Sequence, residues 1–376
     1  RQFLVGPNAS GKSNFLDVFR FLHDIANPDG GGLQSAVSKR GGLSKIRSFH
    51  ARNKSAEVFI RIDLSESNRE FAEGDEDKPP KWTYKIGIKQ EGSGSGDVLV
   101  SSEEVLRDGC QLLKRPDTDG QDDKRRLRHT HLEQVNGHKE FREMADFLSG
   151  ISYFHLVPQM LRYSEEIQGR TLEGDPFGQG LLTRMYEAGK RTRDARLKKI
   201  SAVIRNAIPN LEEIRFEQDQ FGKCHITGSC TNWRSGNAEQ REDQLSDGTL
   251  RLIGLVWSLL ENNSVLLLEE PEISLHVEMV SQLAGFLYRA QREKRAKSQV
   301  FISTHSELLL SDIGIDGEEI LVLDPYSNED WGTKICSGAD LDDIKILLEI
   351  GEPLGPTAIQ HARPNNNIRL SFKSQN

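Results

Sequence analysis

Gly6-Pro7-Asn8-Ala9-Ser10-Gly11-Lys12-Ser13 is the stretch that decides the fold. It fits GxxxxGK[ST] at every required position. The glycines let the backbone curl so that successive N–H groups converge on a phosphate, and the following helix adds its positive N-terminal end. Lys12 is placed to reach the β- and γ-phosphates and the Ser13 hydroxyl to bind Mg²⁺, with Asn14 a further candidate at the cofactor. Phe3-Leu4-Val5 reads as a short apolar strand before the loop. After it, Phe15, Leu16, Val18, Phe19, Leu22 and Ile25 recur at helical spacing. Strand, glycine loop and helix open a nucleotide-binding α/β domain with ATP or GTP as ligand. No NKxD-like base-reading motif follows a strand, which argues against a GTPase.

Around that loop the chain has 376 residues, enough for one large domain or two ordinary ones. Lys and Arg number 49 against 57 Asp and Glu, a net charge of −8 that excludes a bulk-basic nucleic-acid coat protein. There is no apolar run of about 18 residues to cross a membrane and no signal peptide, so a cytoplasmic protein with no membrane partner is expected. Cysteines at 110, 224, 230 and 336 form neither a disulfide framework nor a CxxC metal pair. The missing initiator Met and the start inside a strand suggest an upstream segment.

Farther along, Val58, Ile60, Ile62 and Leu64 alternate as in a half-buried strand, and Trp82, Tyr84, Ile86 and Ile88 repeat the pattern. Between them SESNREFAEGDEDKPP (65–80) reads as a solvated acidic loop, and EGSGSGD (91–97) as a flexible turn. An antiparallel β lobe beside the glycine loop is expected. Residues 101–150 are polar and give no clear pattern, with a basic cluster at Lys124, Arg125, Arg126 and Arg128. A helical pattern over 178–207 carries Lys190, Arg191, Arg193, Arg196, Lys198 and Lys199. From 244 to 305 the chain reads loop, helix (250–261), strand (264–268), helix (276–295), strand (299–303), which implies a parallel sheet.

Three further motifs lie in that last stretch. Val265-Leu266-Leu267-Leu268 runs into Glu269-Glu270-Pro271-Glu272, a Walker B arrangement. The first carboxylate would sit near Mg²⁺ and the second would orient or deprotonate an attacking water. Gln244-Leu245-Ser246-Asp247-Gly248-Thr249 precedes a helix, where Ser and Gly at the N-terminus make a second anion site. Val300-Phe301-Ile302-Ser303-Thr304-His305-Ser306 puts a histidine at a strand end, where it can sense a γ-phosphate. His129-Thr130-His131, Asn136 and His138 loosely evoke an HNH nuclease, but their spacing is too tight for a ββα-metal unit and a solvated loop is the better reading. The basic helix at 190–199 could grip a DNA backbone or serve as a solvated face.

In their order, GPNASGKS, QLSDGT, LLLEEPE and STHS resemble the Walker A, signature, Walker B and switch-histidine motifs of ABC-type ATPases. More narrowly the chain resembles the RecF/SMC/OLD-like branch, including ATPase subunits of bacterial anti-phage systems of the Septu and retron-associated types. The motifs cover roughly residues 1–30 and 240–310. The resemblance implies an α/β P-loop head with a parallel core sheet, an antiparallel β lobe and a helical insertion. It implies a head-to-tail dimer or higher homo-oligomer in which Ser246, Asp247 and Gly248 of one copy close over the γ-phosphate at Lys12 of another. Glu270 would be the catalytic carboxylate and His305 the switch, with Ser13 and Glu269 at Mg²⁺. Gln159, in LVPQML after strand-like ISYFHLV, is the candidate Q-loop residue at nucleotide and metal. Glu269 stands where Asp is more usual, and slow hydrolysis is one implication.

The spacing narrows the kind of ABC protein. Ser246 follows Lys12 by 234 residues, too far for a transporter subunit, and no heptad arms of an SMC protein fill the gap. Only 71 residues follow His305, too few for the C-terminal TOPRIM domain of an OLD-type nuclease. The expected organisation is an N-terminal half-head (1–100), an insertion (101–240), a C-terminal half-head (241–325) and an extension (326–376). The expected function is an ATPase that controls a separate effector, an HNH or TOPRIM nuclease, in phage defence. The alternatives are a RecF-type repair ATPase acting directly on DNA and an ATP-clamped scaffold with negligible hydrolysis.

Overall fold

The computed structural model describes residues 1–27, 31–47, 57–65, 79–91, 97–116, 123–134, 139–164, 175–231, 237–261, 264–292, 298–325 and 332–363. Most of the acidic loop at 65–80 and of the glycine turn at 91–97, together with Asn136 and His138, lies outside the described residues. In chain order the elements are β1 (Gln2–Val5), α1 (Lys12–Ala26), α2 (Leu33–Lys39), α3 (Leu43–Ile46), β2 (Val58–Leu64), β3 (Trp82–Gln90), β4 (Val98–Arg107), β5 (Cys110–Arg115) and α4 (Arg142–Ser149). Then come β6 (Ser152–Phe154), α5 (Pro158–Arg162), α6 (Leu181–Glu187), α7 (Lys190–Ala207), β7 (Leu211–Gln218), β8 (Cys224–Thr231), β9 (Asn237–Arg241) and α8 (Asp247–Glu261). The last are β10 (Leu266–Glu269), α9 (Val277–Arg292), β11 (Val300–Ser303), β12 (Ile320–Asp324), β13 (Lys334–Ser337), α10 (Asp342–Ile350) and α11 (Gly355–His361). Two compact units divide the chain: Arg1–Asn14 with Ser152–Asn376, and Phe15–Ile151.

The first unit holds a six-stranded sheet in the order β13-β12-β1-β11-β10-β6. All its pairings are parallel except β12 with β13. Phe3, Leu4 and Val5 on β1 and Leu266, Leu267 and Leu268 on β10 are buried, as unbroken apolar runs must be in a sheet covered on both faces. Each such side chain contributes about 1.5–3 kcal/mol relative to exposure. Parallel pairing brings the carboxyl ends of β1, β11, β10 and β6 to one edge, where open α/β sheets hold their ligands. All four sequence motifs lie in this unit, three of them directly after β1, β10 and β11.

The same unit carries a second sheet, β7-β8-β9, which the sequence reading did not resolve. Helix α7 packs on it through buried Leu197, Ile200 and Ile204, and the Ser201 hydroxyl accepts from the Ile214 N–H at 2.9 Å. The single helical pattern expected over 178–207 is two helices, α6 and α7, parted at Gly189, whose φ of 71° favours glycine. Two of the basic side chains on α7 face inward. Arg193 lies 4.3 Å from the centroid of Phe216, and Arg196 lies 4.9 Å from that of Trp257. Lys190, Arg191 and Lys198 face outward.

The second unit contains the antiparallel sheet β2-β3-β4-β5, with β2 and β3 where alternation places them. Strands β4 and β5 account for the start of the polar stretch at 101–150. On β4, Glu103 is 1% exposed and accepts from the Tyr84 hydroxyl at 3.0 Å, from Arg115 Nε at 2.7 Å and from the backbone N–H of His131 at 3.0 Å. The expectation of a solvated loop at 129–131 is therefore corrected. The backbone there is anchored to a buried carboxylate, Thr130 is buried, and His129 Nδ1 pairs with Glu133. The four cysteines are unpaired, and among the described residues no helix is long and apolar enough to cross a membrane.

Candidate functional site

The loop after β1 is curled by two left-handed residues, Ala9 (φ 63°) and Gly11 (φ 98°), and by a Ser10 N–H···O=C Pro7 bond of 3.2 Å. At Gly6 a Cβ would lie 2.5 Å from Ser10 Oγ and 2.8 Å from the Leu323 carbonyl, so the close approach requires glycine. Thr333, after β12, donates its hydroxyl to the Ser10 carbonyl at 2.7 Å and braces the loop from outside. Lys12, 7% exposed, donates to the carbonyls of Gly6 at 2.8 Å and Pro7 at 3.0 Å. Burial pulls its amine below the ordinary lysine value, while the charges of Glu270 and Glu269 pull the other way. Ser10 Oγ is buried without a hydrogen-bond partner.

Ser13 lies in the first turn of α1, and its hydroxyl donates to Glu269 Oε1 at 2.5 Å, joining the glycine loop to the end of β10. The other Glu269 oxygen accepts from the Tyr153 hydroxyl, and the Glu269 carbonyl lies 3.0 Å from His155 Nδ1. Tyr153 and His155 sit two residues apart along β6 and the chain just beyond it, so their side chains share one face. Neither was singled out in the sequence, because a tyrosine and a histidine near a short strand carry no spacing signal. A hydroxyl and a carboxylate are hard oxygen donors of the kind Mg²⁺ takes, and the curled amides with Lys12 suit phosphate. The residues present fit a Mg²⁺–nucleotide pair.

Glu270 follows with φ 44°, its N–H bonded to the Ser303 carbonyl at 3.0 Å. Its Oε1 lies 3.7 Å from His305 Nε2, so β10 and β11 deliver these two side chains side by side. Burial pushes His305 below the ordinary imidazole value, the Lys12 charge adds to this, and Glu270 opposes it. The imidazole is thus held toward its neutral form. Ala9, Glu270 and Ser274 (φ 64°) are three of the five non-glycine residues with positive φ among the described residues. Such backbone costs on the order of 1–3 kcal/mol per residue, and here it gathers in the motif loops.

Glu272, which the sequence reading left without a role, receives the Thr304 hydroxyl at 2.6 Å and the His305 N–H at 3.3 Å. It ties the loop after β10 to the loop after β11. Its Oε2 is buried without a partner, and burial raises its carboxyl above the ordinary value.

The signature residues lie at the start of α8. Ser246 Oγ accepts from the Thr249 N–H at 3.2 Å, the bond expected of an N-cap serine. A Cβ on Gly248 would lie 2.6 Å from the Ser274 carbonyl, so glycine lets the signature meet the loop after the Walker B strand. The Asp247 carboxylate receives Arg162 Nη1 at 2.5 Å and Gln159 Nε2 at 3.2 Å, both from α5. Arg162 also donates to the Leu245 carbonyl at 2.5 Å. The structure therefore brings Ser13 to Glu269 and Glu270 to His305, and puts Gln159 on Asp247 of the signature rather than on Ser13 or Glu269. The groups around Glu269 are serine, tyrosine and histidine; among the described residues no three His, Cys, Asp or Glu side chains cluster as a metal site.

Fold and site together describe an α/β head with a glycine loop and two acidic or histidine-bearing loops at the carboxyl edge of a parallel sheet. A family model described as "AAA domain, putative AbiEii toxin, Type IV TA system" matches residues 3–311, and the chain belongs to that family. Among solved structures, one described as an SmcHead bound to the C-winged helix domain of ScpA is 16% identical, covers 89% of this chain and 90% of its own, and has a TM-score of 0.50. An Smc head domain with an extended coiled coil bound to the C-terminal domain of ScpA, derived from Pyrococcus furiosus, is 15% identical over 93% of this chain and 92% of its own, at a TM-score of 0.49. The SMC head domain from Thermotoga maritima is 14% identical over 89% of each chain, at 0.43. The first of these likenesses bears on the fold alone. No curated protein matches.

Proposed function

We propose that this chain binds ATP with Mg²⁺ and hydrolyses it. The observation that carries the reading is the 2.5 Å hydrogen bond between Ser13 and Glu269, 256 residues apart in sequence, beside the Glu270–His305 pair. The glycine-loop amides and Lys12 would hold the phosphates, and Ser13 with Glu269 would hold the metal. Bound Mg²⁺ would offset phosphate charge as it develops. Glu270 would accept a hydrogen bond from the attacking water and orient it, and His305, beside it, would hold the γ-phosphate end. Pairing of two copies, with Ser246, Asp247 and Gly248 closing the partner's site, belongs to the same proposal. So does control of a separate effector, a nuclease, in phage defence. The outward Gly248–Ser274 contact region is the surface on which such pairing would act. The inward turn of Arg193 and Arg196 leaves a smaller basic face on α7 for DNA than the sequence offered, which favours action through a protein partner.

The test is calorimetric titration of ATP into wild type and Lys12→Ala. A charged hydrogen bond is worth about 1.5–3 kcal/mol, so affinity should drop roughly ten- to hundred-fold or more. Equal affinity in the two proteins would refute nucleotide binding at this loop.

A further inference from the structure

Glu269 is a glutamate where this kind of strand end more often carries an aspartate, and its surroundings show how the longer side chain is held. Both carboxylate oxygens are engaged, Oε1 by the Ser13 hydroxyl at 2.5 Å and Oε2 by the Tyr153 hydroxyl, while His155 Nδ1 meets the Glu269 carbonyl at 3.0 Å. Tyr153 pairs in register with Leu267 and the next residue, Phe154, with Leu268, so the β6 edge runs alongside the end of β10. The extra methylene of Glu269 adds a rotatable bond, and a freely turning carboxylate would lose entropy on every metal-binding event. A tyrosine hydroxyl at the end of a rigid, half-buried ring can fix that torsion. Among the described residues no lysine or arginine forms an ion pair with Glu269, although the Lys12 amine lies near enough to feel its charge.

We propose that Tyr153 is the positioning residue of the metal site: its hydroxyl locks Glu269 in the rotamer that, with Ser13, receives Mg²⁺, and Tyr153 and Glu269 act as one unit. The inference rests on the ATPase reading and says which residue outside the sequence motifs makes a glutamate serve there. Outer hydrogen-bond partners of metal ligands typically matter about 10- to 100-fold in metal affinity.

The experiment follows binding of a fluorescent ATP analogue, with no turnover required, in EDTA and across a Mg²⁺ titration, for wild type, Tyr153→Phe, Glu269→Asp and the double variant. Tyr153→Phe keeps the ring and removes one oxygen. The expected result is an unchanged affinity in EDTA and a Mg²⁺ requirement raised about tenfold. In the Glu269→Asp background, whose shorter carboxylate is drawn away from the hydroxyl, the second substitution should add less than about twofold. An unchanged Mg²⁺ requirement, an equal loss of affinity in EDTA, or full additivity in the double variant overturns the inference. Wild-type binding that ignores Mg²⁺ overturns the ATPase reading itself, which separates the two failures.

Discussion

Among the described residues two tyrosine–glutamate pairs lie on strands, and they are built oppositely. In the sheet of the second unit, Glu103 is 1% exposed and its charge is met by Arg115, with Tyr84 and two backbone N–H groups filling the remaining acceptor positions. Burial and the Glu103 charge raise Tyr84 well above its ordinary value, so that hydroxyl stays a donor. On the parallel sheet, Glu269 has Tyr153 and Ser13 but, among the described residues, no ion-paired lysine or arginine. The first carboxylate is saturated and organises the fold around it. The second is aimed by neutral hydroxyls, at the sheet edge where a ligand would be held. The same two residue types thus organise the fold where an arginine completes them, and on our proposal would serve a ligand where it does not.

The largest effect that could break this contrast is at Arg115. Arg115→Ala would strand a buried charge and should cost about 3–5 kcal/mol in urea unfolding while leaving ATP affinity as it was. A parallel loss of ATP affinity would mean the two carboxylates are not separable. Glu270→Gln should do the reverse. Steady-state phosphate release falls roughly 10²- to 10⁴-fold, while stability changes by no more than about 0.5 kcal/mol. Retained phosphate release would remove Glu270 from the chemistry and leave the ATP-clamped scaffold. The smallest effect sharpens the comparison through Glu272. Burial raises its carboxyl above 4.5, Thr304 and His305 oppose this through hydrogen bonds, and Glu270 adds to it. The native protein therefore binds a proton that the unfolded chain has released. Its contribution is full below pH 4.5 and is lost as pH rises through the raised native value. Denaturation without nucleotide across that window should show a declining stability in wild type and a flatter profile in Glu272→Gln; matching profiles would dismiss Glu272 as the titrating group.

Much of the core was legible because parallel strands buried on both faces announce themselves as unbroken apolar runs, as at Val265–Leu268 and Val300–Ile302. The glycine loop after β1 was legible because GxxxxGK[ST] fixes residue types at fixed spacing. What stayed hidden depends on pairing across long separations. The strands β7, β8 and β9 mix charge into half-buried positions, as in LEEIRFEQ, and carry weak period-two signals. Tyr153, Thr304 and Arg162 act through partners 116, 32 and 85 residues away, which no local pattern encodes. The position of Gln159 after a strand points to the nucleotide, yet its side chain donates to Asp247, a choice made by the turn of α5.

The order of strands in the parallel sheet also sets a timetable for synthesis. Residues 2–5 pair with 301–303 and 320–322, so β1 leaves the ribosome about three hundred residues before either neighbour exists. Until then its apolar backbone has no sheet to join, and the glycine loop behind it has no fixed shape. Residues 15–151, which lie wholly within that interval, can complete their own sheet first. The part of the molecule that would grip ATP is therefore begun long before it can be finished, and a polypeptide released in that interval would carry an intact GPNASGKS with nothing to hold it in form.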